Sequence, residues 1–359
     1  MLGECQSKCE HIKDAPILPD TKRQLFRLYL AKGVLATTAI EGNTLTEEEV
    51  IEHLEGKLRL PPSREYQARE IDNIVRACNE VLDVIKRGLT PHLDVERIKT
   101  LNREVLQDLT VADHVTPGEL RKVSVGVSRY RAAPAADCEY LLERLCDWLN
   151  GPGFDSPPDM KIVYAIIKAA LAHLYIAWIH PFGDGNGRTA RLIEFSTLIS
   201  SGVSATAAHL LSNHYNHTRP QYYVELERAS QSKGDIIPFL VYAVRGLLDG
   251  LREQVATIQK QQWKVVWRDF VHTSIKGKSS PFKERKQKLV FAISNEKEPM
   301  PVRQIAELPQ LVREYRNPGS STLKHDIDEL VKEGLLVRDK GKIRARIEAI
   351  SGLKNIVAV

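Results

Sequence analysis

Nothing in this sequence matches GxxxxGK[ST], so a P-loop cradle for phosphate is excluded. The five cysteines, Cys5, Cys9, Cys78, Cys138 and Cys146, are odd in number and scattered without CxxC spacing. They resemble neither a disulfide framework nor a zinc site. His209, His214 and His217 fall close together, but no matching acid or thiol completes a ligand set, so no metal is assigned to them. No run of about eighteen uninterrupted apolar residues occurs, the length a spanning helix needs. The opening MLGECQSKCEHIKD is polar and lacks the apolar core of a secretory signal. A cytoplasmic protein with no membrane contact is the expectation. The net charge of +5 and pI near 8.8 are compatible with nucleic acid without indicating it. With 359 residues, 43% hydrophobic and 27% charged, the chain has the content of two or three soluble domains.

What is present is concentrated at residues 180–191, HPFGDGNGRTAR, between an apolar helix-prone run at 162–178 and another at 192–199. Three glycines in five residues break the helix there, whereas a plain interhelical turn needs one C-cap glycine. Backbone N–H groups in such a turn can converge at the start of the next helix, forming an anion nest at Gly185, Asn186 and Gly187. Arg188 and Arg191 suit forked bonds to phosphate. Asp184 offers a hard oxygen to Mg²⁺, which takes one or two carboxylates and the substrate's phosphates. His180 titrates near neutral pH and can accept a proton from a hydroxyl. The residues alone spell a phosphoryl- or nucleotidyl-transfer loop.

The loop also resembles the Fic family motif HPFx[D/E]GNGRxxR at every fixed position, and the resemblance extends over roughly residues 20–250. It implies a mostly helical enzyme that moves AMP from ATP onto a protein hydroxyl. The related Doc-type kinases usually lack this Gly-Asn-Gly, which places the chain in the AMP-transferring branch. On this resemblance His180 is the catalytic base, Asp184 the metal ligand, and the turn through Thr189 and Ala190 to Arg191 the nucleotide site.

Residues 1–20 read as a loose arm, and helix-period leucines begin after Thr21. Thr37 and Glu41 lie one turn apart on a helix face that by itself would be solvated. With Gly42 they are similar to the Fic inhibitory motif [S/T]xxxE[G/N], which implies that Glu41 pairs with Arg191 and competes with the nucleotide's terminal phosphates; a carboxylate can accept both forks of an arginine. Helices are predicted at 63–88, 94–108, 137–150 and 236–251. Residues 121–131 alternate apolar and polar at Val123, Val125 and Val127, a strand or hairpin signal. The resemblance makes this a flap that pairs with a target strand, with Val125, Gly126, Val127 and Ser128 nearest the nucleotide. Tyr222 and Tyr223 resemble the family's adenine-side pair. Ser230 falls where relatives often carry an asparagine on the base, so the amide contact is lost.

Residues 260–288 carry nine Lys/Arg against two acids. Beyond them, helices at 283–295, 302–307 and 320–333 and a hairpin turning at 339–342 read as a winged helix-turn-helix. Ser320, Ser321, Lys324 and His325 would face a DNA groove, while Asp326, Asp328 and Glu329 oppose phosphate binding. Another protein is an equal candidate partner. The predicted organisation is a helical region at 1–110, a Fic-type helical bundle with a short β-hairpin flap at 111–255, and a basic connector with an α+β winged domain at 256–359. The predicted function is an autoinhibited AMP transferase using ATP and Mg²⁺ on a Ser, Thr or Tyr of a protein, itself included. Two alternatives stand beside it: hydrolytic removal of AMP by Glu41 and His180, and a DNA-binding regulator with the loop as nucleotide sensor. A homodimer is left open.

Overall fold

A computed structural model describes residues 1–350 except 90, 128–129, 233, 276–280 and 316–320, with the backbone alone at 126, 127, 130 and 131. It resolves into two compact units, Met1–Ile258 and Gln259–Val359, each with its own apolar core. The predicted segments 1–110 and 111–255 both contribute to the first core.

The first unit is helical. It begins with α1 (Leu2–Asp14), α2 (Pro19–Ala39) and α3 (Glu47–Leu54), followed by α4 (Glu65–Lys86) and α5 (Val95–Val105). Local chemistry sets several of these ends. Thr46 and Glu49 form a reciprocal capping box at α3, and the Asp94 carboxylate accepts from Arg97 N–H to start α5. The loose arm expected at 1–20 is corrected: α1 is a helix whose Cys5, Cys9 and Ile12 are buried in the core. Two of its three anchors are cysteines, which pack as small hydrophobes.

Among the described residues of the predicted 121–131 segment, a two-residue ladder, β1 (Gly126–Val127) with β2 (Tyr130–Arg131), is strand. Then come α6 (Cys138–Leu149) and the central pair α7 (Lys161–Ile179) and α8 (Asn186–Ser200), with the motif loop between them. Helix α7 is apolar almost all round, because both of its sides are covered; the window 158–179 is long and apolar enough to cross a membrane, yet 67% of it is buried inside the unit. The short α9 (Ala205–Ala208), α10 (Leu210–His217) and α11 (Arg219–Gln231) lead to α12, a 38-residue helix, Ile237–Ser274.

The second unit contains α13 (Pro281–Ser294), β3 (Met300–Pro301), α14 (Val302–Ala306), α15 (Ser321–Lys332), β4 (Leu336–Asp339) and β5 (Lys342–Ala345). Its strands form an antiparallel sheet in the order β3-β5-β4, with β4 and β5 paired from Leu336↔Ala345 to Asp339↔Lys342. Leu289, Leu323, Ile327, Leu330 and Ile343 fill the core beneath it.

Candidate active site

Helix α7 ends by force. His180 adopts a left-handed φ of 49° as its C-cap, and Pro181 cannot continue the helix. Gly185, at φ 78°, then turns the chain into α8. Between them the loop is stapled shut by its own side chains. Asn186 Nδ2 donates to Phe182 O and its Oδ1 accepts from Phe182 N–H, both at 2.9 Å. Phe182 is 1% exposed and anchors the loop in the core. Thr189 donates to Gly185 O at 2.8 Å, and Ala190 is fully buried. The side chains of Asn186, Thr189 and Ala190 are therefore spent on building the turn; what the turn offers an anion is its backbone.

The two motif arginines are almost completely buried. Arg191 Nη2 donates to Glu41 Oε1 at 2.5 Å and to Thr37 O at 2.9 Å, while its Nε and Nη1 have no hydrogen-bond partner among the described residues. Glu41 and Arg191 pair through a single guanidinium nitrogen, which bridges the carboxylate and the Thr37 carbonyl. A Cβ on Gly187 would collide with Glu41 Oε1, so the carboxylate lies directly on the nest. Burial alone would push the Glu41 carboxyl up, but Arg191, with Arg188 and Arg219, outweighs it and holds the pKa below the usual range. The end of α2 is pinned from outside: Arg219 donates to Ala39 O at 3.2 Å and the Tyr223 hydroxyl to Ile40 O at 3.4 Å. Gly42, at φ 108°, makes the turn that follows.

Arg188 pairs with Glu70 at 3.0 Å and with Asp184 at 3.4 Å. Glu70 also accepts from Asn43 Nδ2 at 2.9 Å, which ties the segment after Glu41 to the second motif arginine. Burial raises the Glu70 pKa against the pull of Arg188. Asp184 accepts from Gly185 N–H at 2.5 Å and its side chain is half exposed. No cluster of three or more His, Cys, Asp or Glu suited to a metal occurs among the described residues. His180 is half-buried; burial lowers its pKa, Arg121 lowers it further, and the Ala177 carbonyl, Glu41 and Asp184 act the other way. An imidazole so placed is neutral, and able to accept a proton, at ordinary pH.

Two positioning residues escaped the sequence reading. Arg121, 5% exposed, donates from Nε to His180 O at 2.7 Å, from Nη1 to Val123 O at 2.7 Å, and from Nη2 to Ala133 O and to Ile179 O. Its own N–H donates to Pro181 O at 2.9 Å, next to a bridge between Leu120 and Phe182. One side chain thus holds the base of the flap against the turn that carries His180. Asn102, fully buried, donates to Asp184 O at 2.9 Å and to Thr189 Oγ1 at 3.3 Å, and accepts from Gly118 N–H. Their partners lie between two and 87 positions away in the chain, most of them more than ten, so no local pattern announces them.

The remaining predicted contacts divide. Val125 is half-buried, Gly126 and Val127 form β1, and Ser128 lies outside the described residues. Tyr222 is 3% exposed, and its hydroxyl is 2.8 Å from His173 Nε2. His173 Nδ1 is 3.0 Å from Glu194, which accepts from Tyr215 at 2.9 Å. That buried network spends the Tyr222 hydroxyl on the core. Tyr223 is 42% exposed and is the tyrosine of the pair with an open ring. Ser230 donates to Glu227 O at 2.7 Å, within its own helix.

The Fic/DOC family model matches residues 92–198. The protein adenylyltransferase fic-1 of Caenorhabditis briggsae is 27% identical over 265 residues, 74% of this chain and 48% of that protein. The protein adenylyltransferase Fic of Nematostella vectensis is 29% identical over 250 residues, 68% of this chain and 53% of that protein. The chain therefore spans about half the length of the curated relatives it matches. Among solved structures, a Fic family protein from Desulfovibrio desulfuricans G20 shares the fold over 96% of this chain and 95% of its own, at 21% identity and a TM-score of 0.57. Residues 134–508 of C. elegans Fic-1 cover 72% of each chain at 23% identity and a TM-score of 0.58. Residues 92–198 thus carry a Fic/DOC domain, and the chain as a whole is similar to Fic proteins.

Proposed function

We propose that this protein transfers AMP from ATP to a hydroxyl side chain of a protein, and that Glu41 holds the reaction in check. The observation that carries the reading is the buried Arg191, with Nε and Nη1 unpaired among the described residues and Nη2 bonded to a carboxylate lying on the Gly187 nest. A negative oxygen already sits where an anion belongs. Phosphate oxygens of the nucleotide would take its place, with Arg188 freed from Glu70 to join them. His180 would take the proton of the target hydroxyl; that oxygen attacks the α-phosphorus, the bond to the β-phosphate oxygen breaks, and pyrophosphate leaves. Positioning and charge stabilisation supply most of the acceleration in such transfers. Asp184 fits Mg²⁺ as a single half-exposed carboxylate, since that ion completes its shell with phosphates and water. When bound it would neutralise phosphate charge. The ladder β1–β2, held to His180 through Arg121, is the proposed dock for the target strand.

The test is transfer of label from α-labelled ATP with Mg²⁺. Glu41→Gly should label itself or an added protein far more strongly than wild type, and His180→Ala should not label at all. Full activity in His180→Ala would sink the mechanism. The second reading is the reverse reaction, hydrolysis of AMP from a modified protein, in which Glu41 would align the attacking water beside His180. Under that reading Glu41→Gly loses hydrolysis instead of gaining transfer.

For the second unit the proposal is a winged helix-turn-helix, supported by the order of α13, α14, α15 and the β4–β5 hairpin. The acids expected to repel DNA are neutralised. Buried Asp326 accepts from Nε and Nη2 of Arg285 and from the Tyr315 hydroxyl, Glu329 pairs with Lys286, and Asp328 with Arg338 at 2.7 Å. Lys324 and His325 stay exposed. Salt-dependent duplex binding by the full chain, lost on truncation after Ile258, tests DNA against a protein partner. The five buried thiols fit a reducing, cytoplasmic setting.

A further inference from the structure

On the far side of the α7–α8 pair from the motif loop lies an open cleft of about 320 Å³, within the size range of small-ligand sites. Its walls come from the first half of α7, the second half of α8, and the stretch around α5. Among the residues lining it there is no Asp or Glu, but there are three cations, Arg97, Lys161 and Lys168. Arg97 is ion-paired with Glu104 at 3.7 Å. Lys161 and Lys168 have no ion-pair partner among the described residues, and Lys168 meets only Asn150 Oδ1 at 3.3 Å. Burial lowers the Lys168 pKa by more than Cys146 and Asp155 restore, as expected of a half-buried ammonium short of counter-charge.

The wall from α8 is chemically different. Ser196, Thr197, Ser200 and Ser201 line it. Thr197 donates to Ile193 O, Ser200 to Ser196 O and Ser201 to Leu198 O, at 2.7–2.8 Å. Those three protons are committed to backbone carbonyls of their own segment, so toward the cleft Thr197, Ser200 and Ser201 offer lone pairs and act as acceptors. The three cations lining the cleft can only donate and make it positive, while the α8 hydroxyls can accept from several neutral donors at once. A ligand that satisfies both carries an anion at one end and hydroxyl groups at the other. Two lysines without an ion-pair partner among the described residues, beside Arg97, call for more than one negative charge, and the arginine fork matches phosphate.

We propose that this cleft is a second binding site, distinct from the motif loop, for a small phosphorylated polyol. It is independent of the transfer reaction and stands on the arrangement of charge and hydroxyl groups alone. Calorimetric titration of the full chain with ribose 5-phosphate, inorganic phosphate and ribose at matched ionic strength tests it. Ribose 5-phosphate should bind at least about tenfold more tightly than either fragment. Lys168→Gln should weaken that binding by about tenfold, and so should Lys161→Gln, an exposed position at the start of α7 where the fold is not at stake. Arg191→Ala, which disables the nest, should leave it unchanged. Equal binding of phosphate and ribose 5-phosphate would overturn the polyol assignment. Binding lost in Arg191→Ala but kept in both lysine variants would place the ligand on the motif loop and overturn the site.

Discussion

Arg121 acts on His180 in two ways that can be separated. Its fork holds the His180 and Ile179 carbonyls and the flap base, and its charge lowers the imidazole pKa. Arg121→Lys keeps the charge and loses the fork; misplacement of a catalytic group by about 1 Å can cost on the order of 10²-fold in rate. In a Glu41→Gly background, the lysine variant should lose roughly that much in kcat, with KM for ATP little changed. Arg121→Gln should lose as much and also move the acidic limb of the pH–rate profile upward. A base works only when neutral, and without the neighbouring cation the imidazole stays protonated to higher pH. A profile that does not move between the lysine and glutamine variants would remove the electrostatic half of this account. A rate loss confined to KM would remove the positional half.

At the scale of the element, α2 is the lever on which Glu41 sits, and Gly33 sets how closely it lies on the bundle. A Cβ at Gly33 would collide with the His209 ring, which is fully surrounded and stacked on Phe195 at 4.5 Å. The ring cannot step aside, so the helix must. Overpacking of this kind costs about 1–3 kcal/mol, and each kcal/mol lowers Tm by roughly 2–4 °C in a unit of this size. Gly33→Ala should therefore melt several degrees earlier and, by lifting Glu41 from Arg191, raise the proposed AMP transfer. A lower Tm with unchanged transfer would detach inhibition from the seating of α2. Here the limits of the sequence are plain. The motif loop was legible because its chemistry is contiguous: Gly185 must turn, Phe182 must bury, and Arg191 must pair. Glu41 was legible only through its resemblance to a known motif, since one turn of amphipathic helix does not say what it faces. Helix α1 was missed because Cys5 and Cys9 do not look like an apolar stripe. Tyr222 and Tyr223, adjacent in sequence, point to opposite environments that only the packing of α11 decides. Arg121 and Asn102 act largely through backbone groups distant in the chain, where no spacing rule reaches.

The whole molecule has two cores, and calorimetry of the full chain should resolve two transitions, one for each. The transition of the first unit carries two buried titrations of opposite sign. His209 is fully buried and its pKa falls to about 4. The unfolded chain, with histidine near 6.5, binds the extra proton between those values, so this group's contribution is complete above about pH 6.5 and lost toward pH 4. The shift corresponds to about 3 kcal/mol at 1.36 kcal/mol per pKa unit. Glu104 runs the other way: burial, and then the neighbouring Glu80, raise its carboxyl to about 7. There the folded state holds the extra proton, so its contribution is complete below about pH 4.5 and lost as pH rises through 7. The two slopes oppose each other across the acidic range, and the wild-type transition should move little there. Removing one group unmasks the other. Glu104→Gln should give a first-unit Tm that climbs steeply from pH 4 to 6.5, and His209→Gln one that declines from pH 4.5 to 7. Parallel profiles in wild type and both variants would mean that neither group titrates differently on folding. A steep wild-type climb flattened by His209→Gln alone would leave His209 in place and remove Glu104 from the balance.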